Sequence, residues 1–410
     1  MRLEAFEVKI NYFKGAEALR LKEIHPAKVR LPMIVGIPKE IWAGERRVAL
    51  TPAGAHSLSV AGQTVIVQSD AGIGCGFSME SYSEAGASIV FSSEEVFARA
   101  DFIVKVMPPT VQECIWMGEE KLLFSAVHLG SANPEVHRLL RVQQTTAVGL
   151  ELIEDAEHHL PIVTAMSEIA GMLIPQIAGR FLETTHGGRG VMLGGVPGVP
   201  ASHVVIVGAG TAGTMAARIF LGFGAGVTVM DGNLKRLRAV DASLPKTINT
   251  ALATSYNMER YIASADVVVG AVMVHGRRTP HVITESMVQR MRPGSVIIDL
   301  SIDQGGCVET SRPTTLSDPT FKKHDVIHYC VPNVPASVAR TASHALNNVV
   351  APFMVDIAEN GRESFRNDLS LRRGVYLFSG HCTHEGLAGL LGCEYSDLDL
   401  LLNISHIHKD

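Results

Sequence analysis

The 410-residue sequence has few cysteines, few aromatic residues and no block of basic residues. Its six cysteines form no Cys-x-x-Cys pair or regular framework, which argues against a disulfide-rich secreted domain and for a reducing compartment. The formal net charge is −5, and without a basic patch the chain is not expected to bind nucleic acid. These scarcities exclude a secreted disulfide scaffold and disfavour a nucleic-acid-binding protein.

Long apolar runs are also missing. No segment has the roughly 18–20 uninterrupted apolar residues that span a bilayer. The nearest approach, residues 204–230, is broken by Arg218 and by six glycines. The N-terminal segment carries charges throughout and has no apolar core, so it does not have the pattern of a secretory signal. The sequence therefore predicts a cytoplasmic protein without a membrane span.

No metal site is expected either. The segment GHCTHEG places His381, Cys382, His384 and Glu385 together, but no second cluster of suitable spacing completes a ligand set.

Apolar residues and glycine are abundant: 46% of the chain is apolar and 38 residues are glycine, a composition typical of α/β enzymes. At about 150 residues per domain, the length predicts two or three domains. From residue 33 onward, short apolar runs alternate with helix-length segments, which predicts βαβ units and mostly parallel sheets. The predicted strands are PMIVGI, QTVIVQ, ADFIVKV, KLLFSAVHL and TTAVGLEL in a first series, and SHVVIVGAG, AGVTVMD, ADVVVGAV, PGSVIIDLS and DVIHYCV in a second.

Two longer helices are predicted between and after these series. The first runs from Ser167 to Thr184 with Ser167 as its N-cap, and the second follows Ala339 and ends at Gly361. Residues 1–32 are interpreted as an appended arm or helix. The predicted divisions are 1–32 (extension), 33–161 (substrate domain), 162–339 (nucleotide domain) and 340–410 (C-terminal segment). Composition alone does not show whether the last segment joins the substrate domain.

The strongest local motif is HVVIVGAGTAG, in which Gly208, Gly210 and Gly213 follow a predicted strand and open a predicted helix. The first glycine permits a tight turn, the second lets the backbone approach a pyrophosphate, and the third lets the helix pack on the strand. The next predicted strand ends in Asp231, 18 residues after Gly213, where a carboxylate that binds ribose hydroxyls belongs. The motif predicts a dinucleotide site that prefers NAD(H), because this carboxylate repels a 2′-phosphate.

Three further residues lie at or after predicted strand ends, where ligands meet a parallel sheet. Arg47 follows the first strand, His128 ends the run LLFSAVH, and Asp303 follows the run SVIIDLS. Arginine can bind a carboxylate, histidine can act as a general acid or base, and aspartate can orient water. By position alone, such residues are more often a solvated arginine, a structural histidine and a solvated or capping acid.

Eight segments, in order from about residue 34 to 391, resemble the alanine dehydrogenase/pyridine nucleotide transhydrogenase family. They are GIPKE…RRVALTPAG, FIVKV, FSAVHL, MSEIAG, GGRGVMLGGVPGV, GAGTAG, IDQGGCVETSRPTT and HYCVPNVPASVARTAS. The resemblance is greater to the soluble alanine dehydrogenases, because the transhydrogenase subunits differ at His128 and IDQGG. It implies two Rossmann-type domains, with the first completed by the C-terminal segment and the active site in the cleft. It also implies a homohexamer that converts L-alanine reversibly to pyruvate with NAD.

The resemblance also implies roles for individual residues. Arg47 matches the position that binds the substrate carboxylate, and His128 and Asp303 match the catalytic histidine and aspartate. The positions that contact or approach the cofactor are matched by Ser167, Gly208, Asp231 and Asn333. In the implied reaction His128 is the general acid or base, and Asp303 orients the water that hydrolyses an imine.

One position departs from the family pattern. Alanine dehydrogenases have Lys-Val-Lys-Glu-Pro on the strand that leads to the site, and their second lysine touches the substrate. This sequence has Lys105, Val106, Met107 and two prolines there, so Met107 removes a cation. Lys105 lies two residues away on the same face of the strand, and we expect it to extend toward the substrate.

Two other functions fit the same sequence. A dehydrogenase of another amino acid, or of a larger imine such as saccharopine, would carry the same motifs. A non-catalytic or hydride-relay NAD(H)-binding subunit of the transhydrogenase type would carry most of them, but it needs a partner with a second nucleotide site.

Overall fold

The structure, a computed structural model, describes residues 32–128, 132–274 and 278–407, with side chains up to residue 403. The predicted N-terminal extension therefore lies outside the described residues, apart from Pro32. The strands are β1 (Ile34–Ile37), β2 (Thr64–Gln68), β3 (Ser88–Val90), β4 (Phe102–Val104), β5 (Leu122–Ser125), β6 (Thr146–Gly149), β7 (His203–Val207), β8 (Gly226–Asp231), β9 (Asn249–Leu252), β10 (Val267–Gly270), β11 (Val296–Asp299), β12 (Thr320–Lys323), β13 (Val326–Tyr329), β14 (Val375–Phe378) and β15 (His381–Cys382).

The helices alternate with these strands over most of the described chain. They are α1 (Pro52–Val60), α2 (Met79–Glu84), α3 (Ser93–Arg99), α4 (Val111–Met117), α5 (Pro134–Val142), α6 (Pro161–Leu182), α7 (Thr211–Gly222), α8 (Leu234–Ser243), α9 (Ser255–Ser264), α10 (Glu285–Gln289), α11 (Ala339–Asn360), α12 (Ser364–Asn367), α13 (Leu369–Gly374), α14 (Glu385–Leu391) and α15 (Leu398–Ile407). This alternation is the βαβ pattern that the sequence predicts.

The first sheet has the strand order β15-β14-β6-β5-β4-β1-β2-β3. Its strands are parallel, except that β14 runs antiparallel to β6 and to β15. The chain places β2 and β3 on one side of β1 and then crosses to the other side for β4. Loops that leave β1 and β4 therefore diverge, and the crevice between them is where ligands bind in open parallel sheets.

The second sheet has the order β12-β13-β11-β10-β7-β8-β9. All its pairings are parallel except the edge pairing of β12 with β13. The same reversal occurs here between β7 and β10, so the glycine-rich turn after β7 opens at a second such crevice. Two mostly parallel sheets with helices confirm the predicted α/β fold.

Alternate residues of the strands pack into separate cores on the two faces of each sheet. In the first sheet Phe102 and Ile103 belong to different cores, and in the second Val204 and Val205 do. Both faces of both sheets are therefore covered, which explains why the predicted strands are continuous apolar runs.

The helix predicted over residues 167–184 begins earlier than expected. Helix α6 starts at Pro161 and ends at Leu182, with Ser167 in its second turn. Proline at the first helical position needs no hydrogen-bonded N–H and has a backbone angle suited to a helix, so it starts the helix more effectively than Ser167. The helix predicted after Ala339 is confirmed as α11, and Gly361 caps it with a φ of 59°.

Helix α6 is also the segment that is long and apolar enough, by length and composition, to cross a membrane. The nearest approach expected from the sequence, residues 204–230, instead folds as β7, α7 and β8. Helix α6 packs against α7 and α11 and contains the exposed charged residues Glu168 and Arg180.

Candidate active site

The predicted site residues follow strands at the carboxyl edges of both sheets. Arg47 lies in the loop between β1 and α1, and His128 lies three residues beyond β5. Asp303 is in the 3-10 helix that follows β11, and Asn333 lies in the turn after β13. Each position is therefore set by the end of a buried strand.

Arg47 is buried, with only 5% of its surface exposed, and it pairs with Glu45. Its Nε donates to Oε1 of Glu45 over 2.8 Å and its Nη2 donates to Oε2 over 2.6 Å. Burial alone would raise the pKa of Glu45, but the hydrogen bonds and charge of Arg47 hold it below its ordinary value. Nη1 lies 3.3 Å from the sulfur of Met166, so the guanidinium keeps N–H groups that are not on a carboxylate.

Asn333 bridges this ion pair to Asp303. Its side-chain Nδ2 donates to Oε2 of Glu45 over 2.8 Å, and its backbone N–H donates to Oδ1 of Asp303 over 3.0 Å. The residue has a φ of 54°, in the left-handed region that asparagine tolerates better than most residues. The result is a chain of contacts from Arg47 through Glu45 and Asn333 to Asp303.

Asp303 and His128 lie within electrostatic range of each other. Burial raises the pKa of Asp303, while the N–H of Asn333 and then the charges of His128 and Arg47 oppose that rise. His128 is exposed and has a φ of 52°. Contacts therefore join Arg47 to Asp303, and His128 is close enough for its charge to act on Asp303. The catalytic and binding roles of the three residues stay predictions.

Lys105 is placed differently. Its side chain is fully buried, and its Nζ donates to both carboxylate oxygens of Glu113 over 2.8 and 2.9 Å. The geometry gives no support to the expectation that Lys105 extends toward the substrate. Two hydrogen bonds to a buried carboxylate hold the ammonium at the start of α4, where Glu113 also completes a capping box with Thr110.

Glu40 is a site residue that sequence reasoning missed. Its Oε1 accepts hydrogen bonds from the backbone N–H groups of Val106 and Met107. Its Oε2 is buried and has no hydrogen-bond partner among the described residues. This second oxygen lies 3.8 Å from Nζ of Lys105. Burial raises the pKa of Glu40 from 4.5 to about 7, against the charge of Lys105 and the N–H of Val106. The only available signal was its place in the segment GIPKE.

A cavity of about 320 Å³ opens beside this cluster. It is lined by Lys39, Glu40, Glu45, Arg46, Arg47, Asp70, Ala71, Ile73 and Gly74. Its walls come from the loops after β1 and β2, next to the crevice of the first sheet. The cavity therefore has a buried arginine and two glutamates on its wall, a lining suited to a small zwitterion or anion.

The glycine-rich turn of the second sheet has the geometry that a pyrophosphate needs. A Cβ on Gly208, whose φ is 113°, would lie 2.2 Å from the carbonyl oxygen of Ala271, and a Cβ on Gly213 would lie 2.0 Å from that of Gly208. Within the part of the chain that the structure describes, and apart from its own chain neighbours, nothing lies within 4 Å of a Cβ placed on Gly210. Packing thus requires the outer two glycines, whereas Gly210 leaves room at the N-terminus of α7, which has no side-chain cap.

Asp231 ends β8 as predicted, but its carboxylate is already engaged by backbone groups. Oδ2 accepts the N–H of Ala209 over 2.8 Å, and Oδ1 accepts that of Asn233 over 2.7 Å. Nη1 of Arg236 lies 3.8 Å from Oδ2. The carboxylate therefore ties the glycine turn to the strand end, and its remaining lone pairs are those that could accept from a ribose.

Ser167 is half-buried in the second turn of α6, directly after Met166. Because the sulfur of Met166 contacts Arg47, Ser167 directly follows a residue that touches the buried arginine. Met166 is a second neighbour that the sequence did not single out, since a methionine in an apolar helix is ordinarily a core residue.

Each of the two mostly parallel sheets has a crevice at the carboxyl edge of its strands. A glycine-rich turn lines one crevice, and buried ionic groups line the other. This arrangement is that of the dinucleotide-dependent α/β enzymes. Two family models match the chain: "Alanine dehydrogenase/PNT, N-terminal domain" over residues 36–170 and "Alanine dehydrogenase/PNT, C-terminal domain" over residues 175–385. The chain belongs to the alanine dehydrogenase/PNT family.

Individual relatives match along nearly their whole length. An alanine dehydrogenase of Staphylococcus haemolyticus is 41% identical over 369 residues, covering 90% of this chain and 98% of that protein. One of Mycolicibacterium smegmatis is 42% identical over 366 residues, covering 89% and 98%. A solved L-alanine dehydrogenase structure has a TM-score of 0.84 at 40% identity and covers 88% of this chain and 99% of its own.

Proposed function

We propose that this protein catalyses the NAD-dependent oxidative deamination of L-alanine to pyruvate and ammonium, and the reverse reaction. The observation that carries the proposal is the chain of contacts from Arg47 through Glu45 and Asn333 to Asp303, with His128 beside it. It joins a carboxylate-binding group to an acid-base pair within one site. The name shared by relatives about 40% identical supports the same activity.

Arg47 binds and orients the substrate carboxylate through the N–H groups that Glu45 does not occupy. Because Glu45 fixes the guanidinium in two hydrogen bonds, the free N–H groups point in a defined direction. A carboxylate held there places the alanine Cα at a fixed distance from the acid-base pair, which lowers the entropic part of the barrier.

His128 transfers protons in the reaction, and Asp303 orients the attacking water. NAD, when bound, supplies the acceptor for the hydride that leaves Cα with its electron pair. As the C–N double bond forms, His128 takes the proton lost from the amino group. Loss of the hydride leaves an iminium, and Asp303 then orients a water molecule that adds to its carbon. As the C–O double bond forms, one water proton passes to the nitrogen and the other to solvent, and the nitrogen leaves as ammonium with the proton returned by His128. The balance is alanine, NAD⁺ and water converted to pyruvate, ammonium, NADH and a proton.

The second sheet supplies the residues that would hold the cofactor. Gly208, Gly210 and Gly213 fit a pyrophosphate at the start of α7, and Asp231 fits the ribose hydroxyls. Ser167 and Asn333 are the proposed neighbours of the nicotinamide side. A carboxylate at position 231 favours NAD(H) over NADP(H). We further propose a homo-oligomer, a hexamer by resemblance, located in the cytoplasm.

A panel of L-amino acids tests the proposal directly. NADH formation at 340 nm is measured with L-alanine, glycine, L-serine, L-2-aminobutyrate and saccharopine, with NAD and NADP in parallel. We expect L-alanine with NAD to give the highest kcat/KM, and Asp231→Ala to lose the preference for NAD. A higher kcat/KM with another substrate would replace alanine, and no turnover with any member of the panel would leave an NAD(H)-binding subunit instead.

One observation favours a second substrate. Met107 is half-buried and apolar at the position where the alanine dehydrogenases have their second lysine, and Lys105, two residues before it, is paired with Glu113. An amino acid or imine with a larger apolar part would gain from that lining. The 2-aminobutyrate and saccharopine arms of the panel measure this alternative.

A further inference from the structure

The backbone at His128 adopts an uncommon conformation. Its φ of 52° lies in the left-handed region, which costs a residue other than glycine roughly 1 kcal/mol or more unless its surroundings hold it. The residue comes three positions after β5, whose last residue, Ser125, pairs with Gly149 at the end of β6. The direction in which the imidazole leaves the backbone is therefore set by this turn.

A carboxylate on the neighbouring strand end holds the turn. Glu151 lies in a 3-10 helix just after β6. Its carboxylate accepts the N–H of Val127 over 2.9 and 3.1 Å and the N–H of His128 over 2.7 Å. Two successive backbone N–H groups that converge on one anion form a concave binding site, and the ionised acceptor makes the hydrogen bonds stronger than neutral ones.

Glu151 is also partly enclosed by the protein. Its side chain is half-buried, and after burial its charge is the largest cause of the raised pKa of Tyr376, a fully buried residue of β14. The carboxylate therefore lies within electrostatic range of the buried strand β14 while it accepts from the turn at His128. A solvated acid in this loop would have no such surroundings; Glu157, six residues further on, is exposed.

We propose that Glu151 is a positioning residue for His128. By binding the two N–H groups of the turn, its carboxylate holds His128 in the left-handed conformation that directs the imidazole toward Asp303. This inference rests on the proposed function, in which His128 transfers protons. Glu151 touches neither substrate nor cofactor in this role, so its contribution acts entirely through His128.

A double-mutant cycle tests the inference. Glu151→Ala, His128→Ala and the double variant are compared with the wild type, and Glu157→Ala serves as the control for loss of an acid from the same loop. We expect Glu151→Ala to lower kcat about tenfold or more, since displacement of a catalytic group by about 1 Å costs up to 10²-fold. KM for the amino acid and the Kd for NADH should change less than about threefold. In the His128→Ala background, the same substitution should change kcat less than about twofold.

Two results would overturn the proposal. One is an undiminished loss of kcat when Glu151 is removed in the His128→Ala background, because that loss would come from a general disturbance of the fold. The other is a Glu151→Ala enzyme with wild-type kcat. If that variant does not fold, Glu151→Gln takes its place in the cycle. Its amide oxygen keeps a neutral acceptor, so the expected loss is about threefold, again absent without His128.

The cycle is run with whichever amino acid in the panel has the highest kcat/KM. If that amino acid is not alanine, the proposed substrate is replaced while the role of Glu151 is still tested.

Discussion

Arg47 and Lys105 are both buried cations at the carboxyl edge of the first sheet, and both are held by two hydrogen bonds to a glutamate. They differ in whether the cation keeps N–H groups that a ligand can reach. Arg47 lines a cavity and keeps N–H groups that are not on a carboxylate, whereas Lys105 is enclosed and has Glu113 on one side and Glu40 on the other. A buried cation is available to a ligand only when its own ion pair leaves donors facing open space.

The largest expected effect concerns the enclosed cation. Lys105→Met should lower the free energy of unfolding by about 3–5 kcal/mol, because it leaves Glu113 buried without its partner. In the folded enzyme, KM for the amino acid should stay within about threefold of wild type. Urea denaturation followed by circular dichroism measures the first quantity and NADH formation the second.

The double variant Lys105→Met with Glu113→Gln controls this experiment. The amide can still accept the N–H of Thr110 and carries no charge, so part of the lost stability should return. A Lys105→Met protein of normal stability with a greatly raised KM would show that Lys105 leaves Glu113 to bind the substrate.

The next prediction concerns Glu40, the second carboxylate beside the enclosed Lys105. Because the pKa of Glu40 is about 7 rather than 4.5, the folded state holds a proton that the unfolded state releases between these values. The contribution of Glu40 to stability therefore falls as the pH rises through this window, by about 3 kcal/mol in total. Glu40→Gln should abolish this fall. Unfolding free energies of the two proteins, measured from about pH 4 to about pH 8, give the difference.

The exposed Glu84→Gln variant is the control, and its difference from the wild type should be constant over the same range. A constant difference for Glu40→Gln as well would mean that Lys105 keeps Glu40 ionised.

Arg47→Lys tests the accessible cation. Lysine can still pair with Glu45, but it lacks the planar fork that leaves oriented N–H groups for a second carboxylate. We expect kcat/KM for the amino acid to fall about 100-fold, which corresponds to about 2.7 kcal/mol. Arg46→Lys, at the exposed neighbour on the same cavity wall, should change it less than about threefold. Equal effects at the two positions would remove Arg47 from the substrate site.

The smallest effect is expected from restoring a cation. Met107→Lys restores an ammonium at the position where the alanine dehydrogenases have their second lysine, and should raise kcat/KM for pyruvate amination about tenfold. Met107→Leu keeps the apolar lining and should leave it nearly unchanged. Inactivation by Met107→Lys would indicate that the pocket is built for a substrate with an apolar part at this position.

The fold was predictable where buried strands leave continuous apolar runs, as in PMIVGI or SHVVIVGAG. Strands β3, β9, β12, β14 and β15 were not predicted from the sequence. Four of these strands lie at sheet edges, and β3, β9 and β12 contain exposed polar residues such as Ser88, Asn249 and Lys323, so their pairing depends on the neighbouring strand rather than on their own composition. Strand β14 is different: it is a buried apolar run inside the first sheet, and it was missed in the C-terminal segment. The early start of α6 was readable from Pro161, but Ser167 was preferred as the capping residue.

The sequence indicated several positions of the candidate site but missed Glu40 and Met166, and it did not indicate how the residues are connected. Glycines and strand ends indicate Gly208, Asp231 and Arg47 because each needs only local chain geometry. Lys105 pairs with Glu113 in the helix that follows its own strand, and Glu151 accepts from the turn after the neighbouring strand. The sequence pattern alone does not specify which carboxylate each of these groups reaches.

Few residues could replace Asn333 by a single substitution and keep this site intact. Position 333 must accept a left-handed backbone, and its side chain must donate to Glu45. Glycine keeps the backbone and removes the donor, whereas aspartate keeps the backbone and places a second carboxylate against Glu45. Residues with longer side chains donate but resist the conformation. In a library that randomises this codon and selects for turnover, asparagine should be recovered almost alone, and other residues should reappear only when Glu45 varies with them.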